Sequence, residues 1–202
     1  MEQWLKEYGY LLVILAIVCV VFAVIVYFAA KAYKKRMELY RAEEAEIKRL
    51  VALKEKYRPV TKEAIESAES SGLLEGIALS YQLSLQKEEK QEELFDTFNE
   101  DVKDIYALDV FVQDKTAKEF FSQNGEIIKR RIIPALNKVG MNSFADMIKP
   151  VYDMYDTANE EVSYDVKKIE EIDRFIENLD VLRQIKLKSA EYIKQNFESF
   201  IN

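Results

Sequence analysis

The sequence predicts an all-α protein: an N-terminal transmembrane helix, a helical stalk and a compact helical domain. Three observations predict this arrangement. The 202 residues include only five Gly and three Pro, and so few helix breakers favour long helices. An uncharged apolar run occupies residues 9–30. Beyond it, apolar residues recur mainly at three- and four-residue spacing, which is the period of helices with one buried face.

The apolar run extends from Gly9 to Ala30 and contains 22 residues without a charge. At 1.5 Å per residue it forms about 33 Å of helix, enough to cross a hydrocarbon core of about 30 Å. A lone strand would leave its backbone groups unpaired in lipid. A cleaved signal peptide is the alternative, but the run is too long and lacks a basic cluster before it. We therefore expect residues 1–8 to form a short outer N-terminus and 9–30 to form an uncleaved transmembrane helix.

Basic residues flank this run on one side. Only Lys6 precedes it, whereas Lys31, Lys34, Lys35 and Arg36 follow it closely. Lysine and arginine accumulate on the cytoplasmic side of membrane helices. The sequence therefore predicts a single-pass protein of the cell membrane (plasma or inner), with its N-terminus outside and its C-terminal domain in the cytoplasm.

A stalk follows the membrane segment. No Gly or Pro occurs in residues 31–58, so the helix is expected to continue and to stop before Pro59. A stripe with near-heptad spacing lies along it: Tyr40, Ile47, Leu50 and Tyr57. The stripe is compatible with a coiled-coil homodimer, or with a helix that lies against the domain or the membrane.

Charge divides the chain at the end of the stalk. Residues 1–58 hold 11 Lys and Arg against 7 Asp and Glu, a net charge of +4, so residues 59–202 carry −11 of the total of −7. A basic stalk suits anionic lipid. An acidic domain is repelled by nucleic acid, so direct nucleic-acid binding is not expected.

The acidic domain, residues 59–202, begins with two predicted helices. Thr61 is an N-cap, and acidic residues follow it in the first turn. Ser70, Ser71 and Gly72 are interpreted as the stop of this helix. The next helix is predicted from about Leu73 to Gln86.

The middle of the domain shows a helical core face over residues 94–108. Asp114 or Thr116 is expected to cap the following helix, which carries Phe120 and Phe121, and a turn is predicted at residues 123–126. A further helix contains Pro134, and Gly140 is its natural C-cap.

The last third of the domain is also predicted to be helical. Ser143 is expected to cap a helix that Pro150 either bends or interrupts. The sequence predicts the clearest late loop at residues 159–163. From Tyr164 to Ile201 the apolar spacing predicts one long amphipathic helix, or two that are separated near Asn178.

Three stretches, "DIYALDVF", "EFFSQNGE" and "IIPALNKVG", fall within residues 104–153. In order and spacing they resemble the DNA-mimic-protein-like helical domain family. The corresponding residues are Tyr106, Leu108, Phe120, Phe121, Gly125, Ala135, Leu136, Val139 and Gly140. Where the family carries Asn-Gly-Gly, this chain has residues 114–116, "DKT". The resemblance implies an acidic all-α domain of a family in which at least one member imitates the charge of DNA to engage a regulator.

Catalytic and metal-binding motifs are not found in the sequence. The chain has no histidine, the most common general base and metal ligand. Its single cysteine, Cys19, lies in the apolar run and rules out an intrachain disulfide. Neighbouring glutamates diverge by about 100° on a helix and fit a solvated surface. There is no Gly-rich phosphate loop and no nucleophile elbow. No cofactor or metal is expected.

The sequence thus predicts a membrane-anchored domain that binds another protein, as an adaptor or regulator, rather than an enzyme. The candidate interaction face consists of acidic residues: Glu88, Glu89, Glu92, Glu93, Asp153, Asp156, Glu160 and Glu161. Two alternatives remain open. One is an acidic, DNA-mimic-like domain that sequesters a basic regulator. The other is an enzyme that uses carboxylate, lysine or tyrosine chemistry in a helical cleft.

Overall fold

The computed structural model describes residues 2–85, 91–155, 165–178 and 180–201. Every regular element in these ranges is a helix, which confirms the all-α prediction. The chain divides into two compact units, Met1–Val51 and Ala52–Asn202. The division lies within the predicted stalk, seven residues before the expected start of the domain.

The first helix, α1, is continuous from Glu2 to Lys56. It includes the apolar run and nearly all of the predicted stalk, because no Gly or Pro interrupts residues 10–56. Many of the large apolar side chains described on this helix, Phe22 and Phe28 among them, are exposed. Among the described residues, α1 is the one helix that is long and apolar enough to cross a membrane.

Two helices begin the second unit, α2 (Lys62–Glu66) and α3 (Ser70–Leu85). The Thr61 hydroxyl accepts a hydrogen bond from the Ala64 N–H at 3.2 Å, which confirms the predicted cap. The predicted stop at Ser70–Gly72 is wrong, because these residues open α3. Leu73 and Leu74, which follow directly, are buried, and their burial outweighs the weak helix propensity of glycine.

Five helices follow: α4 (Gln91–Thr97), α5 (Glu100–Asp114), α6 (Ala117–Gln123), α7 (Glu126–Lys129) and α8 (Ile132–Lys138). Side-chain oxygens begin two of them. Asn99 accepts the Val102 N–H at 2.9 Å and starts α5. Thr116 accepts the Glu119 N–H at 3.1 Å and starts α6, so Thr116, rather than Asp114, is the cap of that helix.

The last helices are α9 (Asn142–Tyr155), α10 (Val166–Asn178) and α11 (Val181–Gln195), followed by a 3₁₀ turn (Phe197–Ser199). Gly140 caps α8 as expected: it has φ of 79°, and the Met141 N–H bonds to the Leu136 carbonyl at 2.8 Å. Ser143 lies inside the first turn of α9 and does not precede it.

Two other expectations concern the same region. The break expected near Asn178 is present between α10 and α11. Pro150 lies within α9 and does not interrupt it. The loop predicted at 159–163 lies outside the described residues.

The core of the second unit is built around α5, which contacts α3, α6, α8 and α11. Phe120, Phe121 and Leu136 are buried in this core, whereas Tyr106 is partly exposed and Gly125 and Gly140 are at the surface. Tyr57 is only 2% exposed. It is therefore a core residue of the second unit and does not belong to the surface stripe of the stalk.

Candidate functional site

The predicted membrane flank lies on α1. Lys31, Lys34, Lys35 and Arg36 are all exposed. The Arg36 guanidinium carbon lies 5.7 Å from the ring centre of Tyr40, within the range of a cation–π contact. This arrangement presents a basic surface on one stretch of helix.

The predicted acidic interaction face falls largely outside the description. Glu88, Glu89, Asp156, Glu160 and Glu161 are outside the described residues, and the side chain of Glu92 is not described. The two remaining members are Glu93, which is exposed on α4, and Asp153, which is half-buried on α9. The acidic face therefore stays a prediction.

A cluster of charged residues joins α5, α8 and α11 in the second unit. We call it the α5 ion network, and its members are Glu100, Asp101, Lys103, Asp104, Arg131, Lys138 and Tyr192. The Asn99 cap starts α5 immediately before the acidic residues. Asp101 and Asp104 are three residues apart, so they lie on one face of the helix.

Lys138 is the central cation of the α5 ion network. Its ammonium donates to the Asp101 Oδ1 at 2.9 Å and also contacts the Asp104 Oδ2. The Tyr192 hydroxyl donates to the same Asp101 oxygen at 2.8 Å. The Asp104 side chain is only 3% exposed, so its charge depends on these partners.

Arginine and lysine complete the network on the α5 side. The Arg131 guanidinium lies 3.3 Å from the Asp104 Oδ1 and also contacts Glu100. The Lys103 ammonium bonds to the Glu100 Oε1 at 3.1 Å. Three carboxylates thus face three cations, and the network is neutral when all are ionised.

The environment shifts the pKa values of the network. Burial, together with the hydrogen bond to Asp101, raises the pKa of Tyr192 to about 12. Burial alone raises the pKa of Asp101, but hydrogen bonds from Ser199, Lys138 and Tyr192 outweigh it and leave that pKa below its ordinary value. Burial lowers the pKa of Lys138, whereas its contacts with Asp104 and Asp101 raise it further, so the net shift is upward.

These shifts suit a structural role for the network. A general base needs a pKa near the working pH and a free lone pair. Lys138 and Tyr192 both hold their protons more tightly than usual, and Asp101 already accepts hydrogen bonds from both. Burial raises the pKa of Asp104, but its two carboxylate oxygens already contact Arg131 and Lys138. The network therefore fastens α5, α8 and α11 together.

A cleft of about 500 Å³ opens beside this network, between the start of α9 and the helices α10 and α11. Its lining is largely apolar and includes Met141, Phe144, Met147, Phe175 and Val181. The rings of Phe144 and Phe175 stack at 6.4 Å. This surface is suited to an apolar group.

A smaller depression of about 210 Å³ adjoins the cleft, because both are lined by Gly140 and Lys188. It reaches Lys138 and Tyr192 of the α5 ion network. The left-handed backbone of Gly140 turns the chain between α8 and α9 at this point. A depression with polar lining thus lies next to the apolar cleft.

Sequence reasoning found neither the network nor the cleft. One signal for the network was available: Asp104 lies between Val102 and Ile105 on the apolar face of α5, where an unpaired carboxylate would be costly. Its partners come from residues distant in the chain and have no local signature.

In the described part of the chain, no group of three or more Asp, Glu, Cys or His side chains is arranged to hold a metal ion. Comparison with known proteins adds no relative: no protein-family model, curated protein or solved structure matches this chain.

Proposed function

We propose that the chain is a single-pass membrane protein that holds a helical, protein-binding domain at the cytoplasmic face of the cell membrane. One observation carries this proposal. A single unbroken helix, α1, contains the uncharged stretch Gly9–Ala30 and directly afterwards the exposed cluster Lys31–Arg36.

Exposure supports the anchor. Ile14, Val20, Phe22 and Ile25 are each more than half exposed on α1. Leaving such side chains in water forgoes about 1.5 to 3 kcal/mol apiece. Insertion into a bilayer recovers this free energy, and the helix satisfies its own backbone hydrogen bonds there.

Orientation is tested by labelling single cysteines with a membrane-impermeant maleimide. The starting variant is Cys19→Ser, which removes the only native thiol. Ser122→Cys, at an exposed position of α6, should be labelled only after the cells are permeabilised. Gln3→Cys, before the apolar stretch, should be labelled on intact cells and serves as the matched control.

The opposite labelling pattern would show that the orientation is the reverse of the one proposed. Extraction of the protein into the soluble fraction at alkaline pH would contradict the transmembrane anchor itself. These two failures are separate, because extraction does not depend on which side a cysteine faces.

The binding surface we propose is the apolar cleft between α9, α10 and α11, which accepts an apolar side chain of the partner protein. Met147 and Phe175 line it and are partly exposed. A charged side chain in such a pocket removes apolar contact area, and its burial by the partner costs free energy. Met147→Glu should therefore abolish capture of the partner by the full chain held in lipid nanodiscs.

Leu187→Glu is the matched control, because Leu187 is 39% exposed on α11 and does not line the cleft. It should capture the partner as the native chain does. Equal loss in both variants, or in neither, would contradict the cleft. Elution also distinguishes the charge-mimic alternative, since a basic partner bound to an acidic face is released by moderate salt and an apolar contact is not.

A further inference from the structure

One face of α1 carries a seven-residue repeat that runs through the apolar stretch and on into the stalk. We call this face the heptad seam, and its members are Cys19, Ala23, Val26, Ala30, Tyr33, Met37, Tyr40, Glu44, Ile47 and Val51. Successive members are separated by four and three residues in strict alternation. Glu44 is the single charged residue among the ten.

Beyond the apolar stretch the seam is exposed except at Met37, which is partly buried. Tyr33 is 68% exposed, Tyr40 51%, Ile47 61% and Val51 48%. The opposite face of the same helix carries Lys35, Glu38 and Arg49, as expected for a solvated side. A row of exposed apolar side chains that only Glu44 interrupts marks a surface that another element covers.

We propose that the heptad seam pairs with the seam of a second copy of this chain, in a parallel two-helix coil that begins in the membrane and continues through the stalk. The seven-residue spacing of the seam indicates a second helix as its partner. A straight helix drifts by about 20° per heptad, so the seam would turn by about 80° between Cys19 and Ile47. A left-handed coil of two helices removes that drift, whereas a flat lipid surface does not.

Membrane insertion, on which this inference rests, orients both copies in the same direction and aligns them in depth. Within the apolar stretch the seam presents Ala23 and Ala30. Val26 lies between them, and Cys19 precedes Ala23. Small residues let two membrane helices approach closely, which is how such helices gain contact without a hydrophobic driving force. Larger side chains take over outside, where burial from water stabilises the pair.

The residues that flank the seam fit the parallel register. Glu43 of one copy faces Lys48 of the second copy, since these positions lie five residues apart across a parallel coil. Within each helix Lys48 also bonds to Glu44 at 2.7 Å, next to the one charged seam position. Arg36 and Arg41 occupy the equivalent flanking positions one heptad nearer the membrane, where anionic headgroups neutralise their repulsion.

Cysteine cross-linking in native membranes tests the seam. The Cys19→Ser variant is the background, and Ala30→Cys and Ile47→Cys place a thiol on the seam. Ala42→Cys and Ala45→Cys place one on the outer face and are the matched controls. With a copper-phenanthroline oxidant, the seam variants should give at least about five-fold more disulfide-linked dimer, because outer-face positions lie beyond the roughly 7 Å between Cα atoms that a disulfide spans.

The native chain supplies a further check, since its own Cys19 lies on the seam and is exposed. Oxidation of the native protein should give a dimer that Cys19→Ser loses. Equal cross-linking at all four introduced positions, or cross-linking at none, overturns the pairing.

Alkaline extraction of the same samples scores the anchor separately. A protein that stays in the membrane but shows no periodic cross-links would support the anchor and contradict the pairing of the seam. A protein that alkali extracts but that shows periodic cross-links would support the pairing of the seam and contradict the anchor.

Discussion

Gly76 lies directly against the ring of Tyr57: a Cβ added to Gly76 would come within 2.2 Å of the Tyr57 Cε2. The ring is 2% exposed and cannot move aside into solvent. The close approach of α3 to the Tyr57 ring therefore requires glycine at this position. It also holds Tyr57 in the core of the second unit.

Gly76→Ala should destabilise the second unit by about 1 to 3 kcal/mol, the usual cost of overpacking a filled core. Thermal unfolding of the purified full chain, followed by near-UV circular dichroism, measures the effect as a lower midpoint temperature. Gly72→Ala is the control on the same helix, because its Cβ would meet only the Leu53 Cδ2, at 3.9 Å. Helix propensity favours alanine there, so an equal loss in both variants would contradict the packing argument.

Gly140→Ala should cost about 1 to 2 kcal/mol, because the left-handed backbone at Gly140 brings a Cβ too close to the following carbonyl. No neighbouring atom lies within 4 Å of the added Cβ, so the effect comes from the backbone alone. Gly125→Ala is the matched control: it also has open space, but its φ is −70°. Chemical denaturation should separate the two variants, and unchanged stability of Gly140→Ala would count against the cap.

Lys138→Met should destabilise the domain by about 3 kcal/mol, since it leaves the buried Asp104 and the half-buried Asp101 without their shared cation. The double variant with Asp104→Asn should lose less than the sum of the two single losses. Lys188→Met breaks an exposed pair with Glu191 and should cost less than about 1 kcal/mol. Comparable losses for Lys138→Met and Lys188→Met in urea unfolding would show that the network is not stabilising.

Tyr192→Phe should lose about 1 to 2 kcal/mol near neutral pH, the contribution of a hydrogen bond to a charged acceptor. The pKa of Tyr192 is raised from 10.0 to about 12, so the folded state holds this proton more tightly than the unfolded state. Its contribution is therefore fully present below pH 10 and is lost as the pH rises towards 12.

The difference in unfolding free energy between the native chain and Tyr192→Phe should accordingly stay constant up to about pH 10 and then shrink. Denaturation series at several alkaline pH values measure it. Tyr40→Phe, on the stalk, should leave the unfolding of the domain unchanged throughout. A difference that grows with pH would contradict a stabilising hydrogen bond from the Tyr192 hydroxyl to Asp101.

Several helix ends were correctly predicted because their signals are local. Thr61 and Gly140 act within one turn of their own helix, through a side-chain oxygen and a left-handed backbone. The stop expected at Gly72 failed for the opposite reason. Burial of Leu73 and Leu74 depends on the rest of the core, and it outweighs the local signal of a glycine.

The sequence by itself determined the helical class, the uncharged 22-residue stretch and the change from a basic to an acidic segment, because composition, charge and period are properties of neighbouring residues. Only the tertiary structure decided that Tyr57 joins the core and that Asp101 meets Lys138 and Tyr192. These partners are 37 and 91 residues away along the chain. Contacts over such separations depend on how whole helices pack, and no local pattern records that packing.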